Sequence, residues 1–248
     1  VNPVGGDTVA SGDRFFFNIS IIGSQHRSMP IERSRARAGD RLVLFGECGG
    51  SLLGMDLLKH LGGIESMDRL PDSVRAELPR WDDLSKLLPL LAVDTDGPGI
   101  EHLSGGRGET TAALLALAKR HLVPGAAPVD EELLRVDPPI LTAMIDVSDG
   151  LARDVRNLCR ASGAGAVIRE ELLPVPASFP VFLGGERERW TEYILSSGEE
   201  YVMLAACSEE PPSGTIIGEI VPASEGLILI GRDGKRRTLP DAGYEHTF

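Results

Sequence analysis

The chain has few cysteines, few basic residues for its number of acidic ones, and no long apolar run. Its three cysteines, Cys48, Cys159 and Cys207, are odd in number and scattered over 248 residues. They make neither a disulfide framework nor a zinc-ligand spacing. Lys and Arg total 25 against 37 Asp and Glu, giving a formal net charge of -12 and a pI near 4.9. A non-specific nucleic-acid binder needs a basic face, so no nucleic-acid partner is expected. Anionic substrates stay open, because metal ions can offset local charge. No run reaches the roughly 18 apolar residues that mark a membrane helix. No signal peptide is visible at Val1. These absences predict no membrane association and a cytoplasmic protein. The chain opens on Val rather than Met and enters a turn at once, which predicts a processed or incomplete N-terminus. No internal repeat is apparent.

What is present suits a globular α/β or α+β fold. The hydrophobic fraction is 42%, enough for a sizeable core in one large or two small domains. Val1 to Asp13 reads as a loop around Gly5-Gly6-Asp7-Thr8, and Phe15 to Ile22 as a strand. Ser28 to Arg37 is a basic connection carrying Arg33. Leu42 to Phe45 reads as a buried strand, followed by a Gly-rich turn and a helix from about Leu52 to His60. Strand, glycine turn and helix can cradle an anion. This turn lacks the Lys of a Walker loop, so it is no P-loop. Val74 to Leu91 has helical character broken by Pro79 and Pro89. Asp94 to Gly108 is a long Gly- and Asp-rich loop, in which Ser104-Gly105-Gly106-Arg107-Gly108 has the composition of a phosphate loop without its context. Thr111 to His121 is a helix stopped by Pro124, and Val129 to Arg135 a short one.

Beyond Ile140 the pattern alternates regularly. Leu151, Val155, Leu158 and Cys159 recur at helical spacing, which predicts a buried face, a core position for Cys159, and a glycine C-cap at Ser162-Gly163-Ala164-Gly165. Ala166 to Ile168 is a strand and Leu173 to Pro180 a Pro-rich connection. Glu186 to Ile194 is helical, and Ser196 to Glu200 is a turn. Tyr201 to Ala206, Ile216 to Val221 and Leu227 to Ile230 are strands. Asp233-Gly234 marks a hairpin before Arg237 to Leu239.

The chemistry-bearing stretch is Ile145-Asp146-Val147-Ser148-Asp149-Gly150-Leu151. Two carboxylates flank a hydroxyl at a strand-to-helix turn. Such a pair repels or shares a cation, and a hard cation such as Mg2+ takes one or two carboxylates plus waters and phosphates. Ser148 can cap the following helix or offer its hydroxyl to a phosphate. An N-cap with a solvated acidic turn remains the plain alternative.

Several stretches stand in a telling order. Asn2-Pro3-Val4-Gly5-Gly6-Asp7-Thr8 comes first, then Ser34-Arg35-Ala36-Arg37-Ala38-Gly39-Asp40, then Lys119-Arg120-His121-Leu122-Val123-Pro124. Next come Asp146-Val147-Ser148-Asp149-Gly150-Leu151 and Ser197-Gly198-Glu199-Glu200-Tyr201, and Gly243-Tyr244-Glu245-His246 closes the chain. The set resembles the bacterial thiamine-monophosphate kinases of the AIR synthase-like ATP-binding superfamily, over most of the chain except roughly 62–111. The resemblance implies a two-domain AIR synthase-like α/β fold and a homodimer. It implies transfer of the γ-phosphoryl of ATP to thiamine monophosphate, with Mg2+. By position, Gly6 and Asp7 would meet ATP phosphates, with Asp7 also a metal ligand. Arg33 and Ser148 would contact ATP. Asp146 and Asp149 would hold Mg2+ as the catalytic carboxylates, and Glu199 and Tyr244 would contact thiamine monophosphate.

The same comparison implies that residues 1–26 are a remnant of an N-terminal ATP-binding and dimerisation domain, only partly present, and that 27–248 form a C-terminal α/β domain. The family carries a further stretch before its Gly-Gly-Asp-Thr. It has Gly-Asp where this chain has Gly49-Gly50, and Glu-Asp-Tyr-Glu where it has Glu199-Glu200-Tyr201-Val202. These departures leave two alternatives open: another AIR synthase-like ATP-dependent enzyme, or a non-catalytic ATP-binding and dimerisation scaffold.

Overall fold

The structure is a computed structural model that describes residues 30–61, 108–122, 124, 125, 129, 130, 133, 134 and 139–244. Apart from Pro30, these belong to one compact unit, Ile31–Phe248. The expected strand Phe15 to Ile22, the helical Val74 to Leu91 stretch, residues 104–107 of the candidate phosphate loop, and Gly6 and Asp7 lie outside the described residues.

The described elements mix strands and helices, with four strands running together at the C-terminal end. They are β1 (Arg41–Phe45), α1 (Gly50–Leu61), α2 (Gly108–Leu122), β2 (Leu141–Asp146), α3 (Leu151–Ser162), β3 (Ala164–Arg169), α4 (Phe179–Leu183), α5 (Arg187–Ser196), β4 (Met203–Cys207), β5 (Thr215–Pro222), β6 (Leu227–Ile230) and β7 (Arg236–Thr238). Short 3-10 turns fill Glu170–Leu172 and Ala223–Glu225. The seven strands form one sheet in the order β2-β4-β1-β5-β3-β6-β7. Every neighbouring pair is antiparallel except β3 and β6. The expected α/β (α+β) class therefore takes the form of a mixed, mainly antiparallel sheet with helices packed on it.

Strand periodicity decides which residues face the helices. In β1, Leu42 and Leu44 join the large core with Leu53, Leu57, Val155, Leu158 and Phe179. Val43 and Phe45 point the other way, into a smaller cluster with Leu133, Ala205 and Cys207. Burial on both faces is what makes Leu42 to Phe45 an unbroken apolar run. The α3 stripe packs as its spacing predicts, with Leu151, Val155, Leu158 and Cys159 buried. Gly163 ends that helix at φ 66, ψ 34, and its N–H meets the last carbonyls. Only glycine takes that left-handed position without strain.

Several boundaries differ from expectation, and two of them bear on the site. Phe179 to Leu183, whose start was assigned to a Pro-rich connection, is a short helix. Pro180 sits in its first turn, where a missing N–H leaves no bond broken. Phe179 and Phe182 are buried, and Phe179 packs edge-on against Trp190 and Tyr193, with ring centroids 6.3 and 6.0 Å apart. Strand β4 starts at Met203 rather than Tyr201, because Glu199 and Tyr201 have φ of 56° and 50°.

Helices α1 and α2 meet at Gly54. A methyl there would collide with the Leu117 backbone carbonyl. Alanine would gain about 1 kcal/mol of helix propensity. A backbone carbonyl cannot swing aside, so α2 would have to move, and overpacking of that kind costs about 1–3 kcal/mol. Gly54→Ala is expected to lower the urea midpoint; an unchanged or raised midpoint would show that the two helices separate freely. Burial also pushes the Cys159 and Cys207 thiols up to about 12 and Cys48 well above the usual thiol range. A thiol raised that far stays protonated and unreactive at pH 8. In the folded protein none of the three should react with a thiol reagent, and all three should react in 6 M guanidinium.

Candidate functional site

Strand β2 ends at Asp146, and the chain turns through Val147 to Gly150 before α3 begins. The turn is pinned by backbone bonds to the stretch before β4. The Val147 N–H donates to Val202 O at 2.8 Å, the Tyr201 N–H to Val147 O at 2.9 Å, and the Glu199 N–H to Ser148 O at 2.8 Å. The N-cap of α3 is Gly150, at φ 119, with no side-chain cap. Ser148 therefore does not cap the helix, so the capping part of the plain alternative fails. The N–H groups of Ser148 and Asp149 instead donate to Asp154 Oδ2 at 3.1 and 3.0 Å. Asn157 Nδ2 donates to Asp154 Oδ1 at 3.2 Å. Burial pushes the Asp154 carboxyl above its ordinary range. The Asp149 N–H and Asn157 oppose that rise, the Asp149 charge adds to it, and the Ser148 N–H opposes it.

Glycines let two further motifs reach the same turn. A side chain at Gly198 would press on the Ser148 carbonyl at 2.8 Å, and one at Gly150 on Ser196 O at 3.0 Å and on Gly243 Cα at 3.1 Å. The Tyr244 N–H donates to Asp149 O at 2.8 Å. Upstream, Arg156 Nη2 on α3 donates to Leu239 O and Pro240 O at 3.4 and 3.3 Å, and its Nε lies 3.6 Å from Asp241 Oδ1. The strand-to-helix turn, the Ser197 to Tyr201 turn and the Gly243-Tyr244 end thus meet in backbone contact, although they lie far apart in sequence.

The structure brings Asp146, Ser148, Asp149, Glu199 and Tyr244 to one place. Asp146 and Glu199 are exposed, Ser148 and Asp149 half-buried, and Tyr244 is 63% exposed. Arg33 is not shown to join them. Its carbonyl accepts from Ser162 Oγ at 3.0 Å, at the far end of α3, a helix about 18 Å long. Among the described residues no group of three or more His, Cys, Asp or Glu is placed to hold a metal ion. Asp146 and Asp149 bring two carboxylates to this turn, and among the described residues neither has a hydrogen-bond or ion-pair partner on its carboxylate. Oxygen donors of that kind suit the chemistry of a Mg2+ ion, which takes one or two carboxylates beside waters and substrate phosphates.

The glycine turn before α1 does not cradle an outside anion. It holds an internal one, the Glu200 carboxylate. Glu200 Oε1 accepts from the N–H groups of Gly49 and Ser51 at 2.7 and 3.0 Å and from Ser197 Oγ at 2.6 Å. Its Oε2 pairs with Arg120 Nε at 2.8 Å, and the carboxylate is wholly buried while Arg120 is partly exposed. Ser197 Oγ also accepts from the Leu52 N–H at 2.9 Å. Three of the free donors at the start of α1 are met this way. Arg120 also donates to the Glu47 carbonyl, and its side chain fills the space beside Gly50. Spacing missed Glu200, since both carboxylates of Glu199-Glu200 sit in a turn motif. The available signal was the serine three residues before it, together with an arginine and a glycine turn needing partners.

No family model matches the chain. It is 23% identical to the thiamine-monophosphate kinase of Bacillus subtilis (strain 168) over 255 residues, covering 98% of this chain and 63% of that protein. It is 28% identical to the enzyme of that name from Leptospira interrogans over 250 residues, covering 98% and 62%. With the Escherichia coli K12 enzyme it shares 32% over 142 residues, 52% of this chain and 42% of that one. The chain therefore spans less than two thirds of the length of these relatives. Among solved structures, AaThiL complexed with AMPPCP and TMP superposes with a TM-score of 0.54 at 24% identity, over 88% of this chain and 54% of that one. Thiamine monophosphate kinase from Aquifex aeolicus gives 0.51 at 23%, over 84% and 55%. By sequence and by fold, this chain is similar to the thiamine-monophosphate kinases, and its fold is AIR synthase-like.

Proposed function

We propose that this chain acts in the Mg2+-dependent transfer of the γ-phosphoryl group of ATP to thiamine monophosphate, giving thiamine diphosphate and ADP. One observation carries the reading: two motifs distant in sequence converge on a turn whose two carboxylates are free to take a cation. The acceptor is itself a phosphate, nucleophilic at pH 7, so no strong general base is required. The chemistry needs two highly anionic groups held in line with their charge offset. Bound Mg2+ would supply that neutralisation of phosphate oxygens.

In this reading Asp146 and Asp149 hold the metal, with Asp7 a further ligand and Gly6 beside the ATP phosphates. Ser148 has its N–H engaged by Asp154, which leaves its hydroxyl for ATP. Arg33 serves ATP through its guanidinium. Glu199 offers a carboxylate to the cationic, amine-bearing thiamine moiety, and the exposed Tyr244 ring offers it a flat apolar face. The reading also carries a homodimer, a cytoplasmic location, and a division of the chain into 1–26, part of an ATP-binding domain, and 27–248. No described helix is long and apolar enough to cross a membrane.

The direct test is ADP and thiamine diphosphate formation from Mg-ATP and thiamine monophosphate. Bound nucleotide without turnover would sink the kinase reading. Asp146→Asn and Asp149→Asn should each lower kcat about 100-fold or more, as loss of a charge-stabilising group does, with an unchanged melting temperature. A fall in melting temperature with full specific activity in the folded fraction would make the turn merely structural. Tyr244→Ala should raise KM for thiamine monophosphate about tenfold, the scale of one lost ring contact, and leave KM for ATP alone.

A further inference from the structure

Among the described residues, two that are not glycine hold a left-handed backbone: Glu199 at φ 56 and Tyr201 at φ 50. They flank Glu200. A tyrosine in that region is an outlier, and glycine would sit there without cost. Neither side chain is used to fill the core. Glu199 is exposed and Tyr201 is 37% exposed. Strained backbone persists where its surroundings over-determine it, and such positions cluster at ligand sites.

The surroundings here are specific. Glu200 is held by Gly49, Ser51, Ser197 and Arg120. The N–H groups of Glu199 and Tyr201 are tied to Ser148 and Val147. The buried carboxylate pulls the middle of the loop inward, toward the start of α1. The two flanking bonds hold the loop against the Asp146 to Asp149 turn. Between these restraints Glu199 and Tyr201 are left on the surface beside that turn.

We propose that Glu200 is a positioning residue, and that it sets both Glu199 and Tyr201 as contacts for the cationic aromatic part of the substrate. Tyr201 adds a second ring, besides Tyr244, on the segments bonded to the Val147 to Asp149 turn. A carboxylate together with two aromatic rings suits a flat, positively charged heterocycle bearing an amine. The assignment rests on the phosphoryl-transfer reading for the nature of that substrate.

The test uses the full chain with thiamine monophosphate as the probe. Tyr201→Gly should shift the folding equilibrium about two- to fivefold toward the folded state relative to Tyr201→Ala, because glycine relieves the backbone. It should weaken thiamine monophosphate binding about tenfold while Mg-ATP binding stays unchanged. Glu200→Gln should raise KM for thiamine monophosphate about tenfold, with KM for ATP within about twofold, and Glu200→Asp should recover part of the loss. If the Glu200 variants fail to fold, Tyr201→Gly decides alone. Unchanged thiamine monophosphate affinity in Tyr201→Gly, with the parent chain binding the probe, overturns the positioning proposal alone. A parent chain that neither binds the probe nor forms ADP overturns the phosphoryl-transfer reading, and this assignment with it.

Discussion

The Glu200 carboxylate ties three stretches of the chain into one site. It is wholly buried and meets four donors, from Gly49, Ser51, Ser197 and Arg120. A buried charge is tolerated only when its lone pairs are met and a counter-charge stands close. Here the positive end of α1 and the Arg120 guanidinium supply both. Removing one partner of such a pair costs about 3–5 kcal/mol, because the other is left stranded. The interaction closes the start of α1, seats α2 through Arg120, and fixes the loop that carries Glu199 and Tyr201. The arrangement also gives a physical account of two departures from the family pattern. Gly50 leaves room for Arg120, and Glu200 meets it.

A second buried carboxylate does related work at α3. Asp154 takes the N–H groups of Ser148 and Asp149. The free donors of a helix start are a ready anion site, as in the Walker loop. In this chain an internal carboxylate engages those donors at the start of α1, whereas Asp154 engages the N–H groups of the turn just before α3. The glycine turn before α1 is therefore occupied, and in the proposed function phosphate is met through the Asp146 and Asp149 pair instead. It also agrees with the net charge of -12, since a cation-mediated site has no need of a basic surface.

Close backbone approach is what lets the motifs meet. Gly150, Gly198 and Gly243 stand where side chains would press on neighbouring backbone. The carbonyls of Val147, Ser148 and Asp149 receive N–H groups from Tyr201, Glu199 and Tyr244. Side chains branching from these segments are therefore placed by main-chain bonds, which leaves little slack in their relative positions.

Local pattern determined much of this protein. The 3.6-residue stripe of α3, the double-faced apolar run of β1, the strands β5 and β6, the Asp233-Gly234 hairpin and the Gly163 cap all follow from spacing and from the conformations open to each residue. The order of the motifs carried the resemblance. Tertiary structure decided the rest, because Glu200 finds Arg120 and Gly49, 80 and 151 residues away, only in the fold. No local rule separates Glu199 from Glu200, yet one faces solvent and the other is wholly buried. None shows that Ser148 leaves α3 uncapped, since the helix begins after Gly150 and Asp154 holds the Ser148 and Asp149 N–H groups of the turn before it. The opening of the strand at Met203 rather than Tyr201 likewise depends on restraints from Val147, Ser148 and α1. Periodicity follows from backbone geometry and is written along the chain. A buried charge depends on what the fold brings around it.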